Sequence, residues 1–120
     1  MALRLKDAAG DNIDAGEKST LVITATITDE NGDPETPTAA TWTLSDLDGN
    51  VINSRDAVAI AVPASEMDIV LSGNDLALQS ATDTGRRAFL LKATYNSALA
   101  NNLPLNEEIQ FDVLDFVKIT

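Results

Sequence analysis

The chain contains no cysteine and no histidine. Lacking cysteine, it has no disulfide framework and no thiolate nucleophile or metal ligand, and its redox compartment is left open. Lacking histidine, it is without the commonest general base and the commonest metal ligand. Aromatic residues are only 4% of the 120 residues, so a core drawn from the 44% that are hydrophobic is mostly aliphatic.

Cations are scarce too. Eight Lys and Arg stand against nineteen Asp and Glu, for a formal net charge of −11. A duplex nucleic acid needs clustered cations for its phosphates, and the only basic pair is Arg86-Arg87. Such acidity serves solubility and self-repulsion, and it also suits a surface that docks on a basic partner or binds Ca²⁺. No apolar run approaches the roughly 20 residues of a membrane helix. Met1 to Lys6 has no apolar stretch of the signal-peptide kind. The expectation is a protein with neither a nucleic-acid nor a membrane partner, which stays in the cytosol or assembles there into something larger.

What the chain does have is short alternating segments between turn signals. Leu21, Ile23, Ala25 and Ile27 alternate with Val22, Thr24, Thr26 and Thr28, giving a strand over 19–28 with a Thr-rich second face. Residues 2–6 alternate as a first edge strand, and the small polar residues 7–18 read as a loop. Further strands are expected over 40–46, with Trp42 and Leu44 on one face, and over 51–53, joined to it by Asp48-Gly49-Asn50 in a hairpin. Strands over 57–62 and 67–72 follow, the latter aligning Met67, Ile69 and Leu71 before a turn at Ser72 to Asp75 and a short apolar stub at 76–78. After a loop over 79–86, residues 87–95 align Phe89, Leu91, Ala93 and Tyr95. Beyond a loop over 96–106, residues 107–119 close the chain, with a break in alternation at Leu114-Asp115-Phe116 that a bulge or a switch of sheets would explain. Seven to eight strands with turn signals every ~8–12 residues, and no convincing helix, predict an all-β antiparallel sandwich, with 1–120 as one domain.

Few residues remain for chemistry. Asp29-Glu30-Asn31-Gly32-Asp33 and Asp46-Leu47-Asp48-Gly49-Asn50 resemble the start of a Ca²⁺ loop. An EF-hand needs glycine at its sixth position and a bidentate Glu at its twelfth; here glycine is fourth and the twelfth residue is Ala40 or Ala57. Hairpin turns account for both. Asp7, Asp11, Asp14 and Glu17 share one loop and could meet at a cation, although a solvated loop is the better account of them. No Gly-x-Ser-x-Gly or phosphate-cradling glycine loop occurs, and Lys6, Lys18, Lys92 and Lys118 fall in no catalytic motif. Nineteen carboxylates make chance pairs unavoidable, and none is marked out for a glycosidase. Trp42 reads as a core residue, and Tyr95, ending its strand, is placed to tie its hydroxyl to nearby backbone. No catalytic, cofactor-binding or metal-binding residue is nominated.

Two stretches carry a resemblance. One is Thr41-Trp-Thr-Leu-Ser-Asp-Leu-Asp-Gly-Asn-Val-Ile-Asn53, continuing into Ile69-Val-Leu-Ser-Gly-Asn-Asp-Leu76; the other is Ala88 to Tyr95 with the closing strand. Together, over roughly residues 19–114, they resemble small immunoglobulin-like structural proteins of tailed bacteriophages and prophages, of the head and tail morphogenesis group. Antibody-type domains are excluded by the missing disulfide. The resemblance implies an immunoglobulin-like sandwich and a non-enzymatic virion component, assembled in the bacterial cytoplasm. Its partners would be capsid, neck or tail proteins or further copies of itself, docked through an edge strand or loop tip. It brings no catalytic residues and no cofactor. The alternative is an adhesive module for a carbohydrate or cell surface, with or without Ca²⁺.

Overall fold

The computed structural model describes residues 2–6, 14–80 and 82–115, and every structural statement below refers to these. The strands are β1 (Ala2–Lys6), β2 (Asp14–Gly16), β3 (Thr20–Thr26), β4 (Ala39–Ser45), β5 (Val58–Ala59), β6 (Glu66–Ser72), β7 (Arg86–Tyr95) and β8 (Leu103–Leu114), with one 3-10 turn at Gly73–Leu76. They form two sheets, ordered β1-β3-β6 and β2-β8-β7-β4-β5. All pairings are antiparallel except that of β2, which runs parallel to the end of β8.

The period of two sets the faces. In β3, Leu21, Ile23 and Ala25, with Ile27 just beyond, are fully buried, and Met67, Ile69 and Leu71 of β6 share their face. From the second sheet, Trp42 and Leu44 of β4 meet Phe89 and Leu91 of β7 and Phe111 of β8 in the same cluster. The layers thus enclose one core between them, and the chain is an all-β sandwich. Trp42 stacks on Phe89 at 5.5 Å between ring centroids, inclined by 25°, within the range of favourable aromatic pairs.

Several expected elements are corrected. Residues 14–16 are not loop: Asp14, Ala15 and Gly16 pair with Asp112, Val113 and Leu114. The strand expected over 57–62 is only Val58–Ala59: Ala57 takes a left-handed φ of 48° that interrupts extended backbone at its start, and only Val58 and Ala59 pair with β4. Residues 51–53 do not form a strand either; a single bridge, Ser45 to Val51, closes that hairpin. The stub at 76–78 is preceded by the 3-10 turn. β8 starts four residues earlier than expected and ends at Leu114, while Phe116 to Thr120 lie outside the described residues.

Gly85 fixes the junction between β7 and the end of β8. Its carbonyl accepts from the Val113 amide at 2.7 Å, its φ is 79°, and a Cβ there would collide with the Val113 carbonyl oxygen. Gly32 has a similar φ of 83° but open space around it. Gly32→Ala therefore carries only the left-handed penalty, about 1–2 kcal/mol, whereas Gly85→Ala adds a backbone collision and is destabilised by clearly more. Urea unfolding of the two variants measures the difference; equal losses would show that the Val113 contact is not a constraint.

Candidate functional site

Charged side chains gather at the end of the sandwich where β4 finishes and β7 begins. Alternation along β7 puts Arg87 on the same face as Phe89 and Leu91, and it is only 1% exposed. A guanidinium in such a place needs a counter-charge and acceptors. Asp83 supplies them: Nη2 donates to Oδ2 at 2.6 Å and Nη1 to Oδ1 at 3.1 Å. Nη1 also donates to the Arg86 carbonyl at 2.9 Å and Nη2 to the Ala77 carbonyl at 3.3 Å. Nε alone is buried with no acceptor. Asp83 in turn accepts from the amides of Gln79 at 2.7 Å and Gly85 at 2.9 Å. The bonds from Arg87, against the opposing effect of burial, hold its carboxyl well below the usual carboxylate range.

A second pair lies at the same end. Asp75, 2% exposed, accepts from Arg55 Nε and Asn53 Nδ2, each at 2.8 Å, and from the Ser72 amide at 3.2 Å. Burial alone would raise the Asp75 pKa, but the bonds from Arg55, Asn53 and Ser72 outweigh it and the net shift is downward. The Arg55 guanidinium also lies 5.7 Å from the centroid of the Trp42 ring, in cation–π range. The segment after β4 is thereby tied both to the 3-10 turn and to the core tryptophan.

Both suspected Ca²⁺ loops are turns of a single design. Asp29 Oδ1 accepts from the amides of Asn31 and Asp33 at 2.9 and 3.0 Å, and Asp46 Oδ1 accepts from those of Asp48 and Asn50, both at 2.9 Å. A bridge flanks each, Thr28 to Pro34 and Ser45 to Val51, and Gly32 and Gly49 take φ of 83° and 89°. This is a turn closed by a left-handed glycine, with the leading aspartate as its template. Asn50 Nδ2 adds a bond to Asp46 Oδ2, and the bonds from Asn50 lead in drawing the Asp46 pKa down. Between this turn and residues 79–87 opens a cleft of about 320 Å³ that Asp46, Asp48, Asp83 and Arg86 help to line.

Other candidates are dispersed. Asp7 and Asp11 lie outside the described residues, Asp14 is in β2, and Glu17 is buried just beyond it. Among the described residues no group of three or more acidic side chains is placed to hold a metal ion, and no helix is long and apolar enough to cross a membrane. Lys18 and Lys92 are exposed, Lys6 ends β1, and Lys118 lies outside the described residues. The basic pair is split, with Arg86 exposed and Arg87 in the core. At the opposite end, Tyr95 donates not to backbone but to Glu30 Oε2 at 3.1 Å. Burial, followed by the hydrogen bond to Glu30 and then the charges of Glu30, Asp29 and Glu35, raises the Tyr95 pKa.

Sequence reasoning missed Arg87 and its partner. The signal was present: Arg87 has the parity of Phe89, and Asp83 stands four residues before it. Comparison with protein-family models, with curated proteins and with solved structures returns no match to this chain.

Asp83→Ala leaves the Arg87 guanidinium buried without its counter-charge and should lower stability at neutral pH by about 3–5 kcal/mol. Adding Arg87→Met should recover much of that loss in denaturant unfolding; no recovery would mean that the pair is not coupled. Because the folded pKa values of Asp83 and Asp75 are depressed, the unfolded chain binds more protons as acid is added. Their contribution is complete above the ordinary value of 3.8 and is lost as pH falls below it, which thermal unfolding across that range records.

The single tyrosine makes a second test simple. Its phenol should titrate above the ordinary 10.0 by ultraviolet absorbance, and Glu30→Gln should bring the midpoint down. An unchanged midpoint would remove Glu30 as a cause.

Proposed function

We propose that this chain is a non-enzymatic structural component of a tailed phage or prophage virion, an immunoglobulin-like domain that works by docking on other virion proteins. The immunoglobulin-like assignment is supported by strand order. With β1, β3 and β6 as strands A, B and E, and β8, β7, β4 and β5 as G, F, C and C′, the order is compatible with the ABE and GFCC′ parts of a variable-type domain, without counterparts of D and C″ among the described residues. Trp42 then falls on strand C, where such domains carry their core tryptophan, and it stacks on Phe89 of strand F in place of a disulfide. Arg87, two residues before Phe89 with its guanidinium bonded to Asp83 and Ala77 upstream, stands where antibody domains carry the tyrosine corner.

One observation carries the docking reading. Asp29 and Asp46, which lead the two loops resembling the start of a Ca²⁺ loop, each hold a turn in place, and the least exposed aspartates at the charged end, Asp75 and Asp83, each hold a guanidinium, which is scaffold work. A rigid sandwich built this way offers its edges and loop tips to partners, and many copies in a symmetric particle make weak single contacts sufficient.

An antibody raised against the chain tests the reading on particles purified by density gradient from the producing bacterium after prophage induction. The chain should co-sediment with particles and persist after a salt wash. Recovery only in the particle-free fraction would overturn the proposal.

A further inference from the structure

Charge is unevenly spread along this acidic chain. The longest stretch without a charged residue is Ala93 to Asn106, fourteen residues that take in the end of β7, the hairpin tip and the start of β8. Residues 36–45, which include β4, are uncharged as well. The sheet register sets the two stretches side by side, pairing Ala39 with Thr94 and Thr94 with Pro104. A groove of about 260 Å³ opens where they meet. Ala39, Ala40, Ala93 and Pro104 line it together with Thr41 and Thr94, and Lys92 is its only charge. Beyond the groove, the hairpin tip carries Leu99, at 74% the most exposed leucine among the described residues. The tip is held by its own hydrogen bonds. The Ser97 amide donates to the Ala100 carbonyl at 2.9 Å, the Leu99 amide to Ser97 Oγ at 3.1 Å, and the Asn102 amide to Asn96 Oδ1 at 2.9 Å. A leucine displayed on a turn already ordered in this way loses little further freedom on being buried.

We propose that the groove receives Leu99 of a second copy, in a two-fold pair where each hairpin tip lies in the other molecule's groove. The distribution of charge argues for a second copy. Two molecules of net charge −11 repel across most of their surfaces, whereas here uncharged stretches meet and no carboxylate lines the groove. The one charge present, Lys92, attracts an acidic neighbour. Placement argues for the two-fold. Leu99 lies five positions beyond both Thr94 and Pro104 on a single hairpin, so laying two hairpins antiparallel sets tip over groove twice in one operation. Such a contact is isologous and closes at two copies. It is small, and therefore weak by itself, but many copies held in one particle reinforce it. This deepens the docking reading and rests on it, by naming a second copy of the chain as a partner and the hairpin as the docking surface.

The test is sedimentation of the whole chain, with each variant checked by circular dichroism for its fold. The native chain should rise above its monomer mass of 12.7 kDa in a concentration series reaching about 1 mM. L99E, which removes the knob, and A39E, which puts a carboxylate into the groove, should each weaken association by roughly tenfold or more. V70E changes net charge equally at an apolar residue of the other sheet, itself 55% exposed, and should associate as the native chain does. Because the chain has no cysteine, a mixture of L99C and A39C should be joined into dimers by a short bis-maleimide, well above the yield from either variant alone. A native chain that is monomeric throughout, equal weakening by V70E and L99E, or no excess of mixed dimers would each overturn the proposal. Particle association is measured separately, so a chain that stays monomeric yet co-sediments with particles overturns this contact and leaves the docking reading standing.

Discussion

A guanidinium driven inward by strand alternation sets the terms for one end of this molecule. Arg87 cannot face solvent without also turning Phe89 and Leu91 out of the core, because all three share one face of β7. Its charge must therefore be met inside. The segment entering β7 is shaped by that demand: Ala77 turns its carbonyl to the guanidinium, and Asp83 takes up the fork while gathering the amides of Gln79 and Gly85. Gly85 then leaves the loop in a left-handed conformation that lets its backbone meet Val113, one strand over. A single buried cation thus links the loop, the start of β7 and the end of β8, where β2 also pairs.

The same economy runs through the other acidic residues. A net charge of −11 invites a functional reading, yet the aspartates that lead the turns at 29–33 and 46–50 act as local templates, each holding two amides. Asp75 does related work at longer range, joining Asn53 and Arg55 to the turn after β6. Asparagine could accept one such bond at a turn, but a buried guanidinium needs an anion. Acidity therefore serves two ends here: solubility across the surface, and geometry in the loops.

Alternation made much of the sandwich legible. The inward sets of β3, β6 and β7, and Ile109, Phe111 and Val113 of β8, follow from period two because each has a dry face and a wetter one. The elements that escaped lack that contrast. Asp14-Ala15-Gly16 has no apolar alternation to read, and it is a strand only because β8 lies beside it. The run at 57–62 is apolar at nearly every position but has a left-handed residue at its start, which composition does not show. In β8, Pro104 and Asn106 hid the alternation of Leu103 and Leu105. The bond from Tyr95 to Glu30 spans 65 positions, and no local pattern encodes it. Of the charged end, the turns were readable and the two guanidinium pairs were overlooked: Arg87 because a cation on an apolar face contradicts the pattern used to find that face, and Arg55 because it lies outside any strand, 20 positions from Asp75.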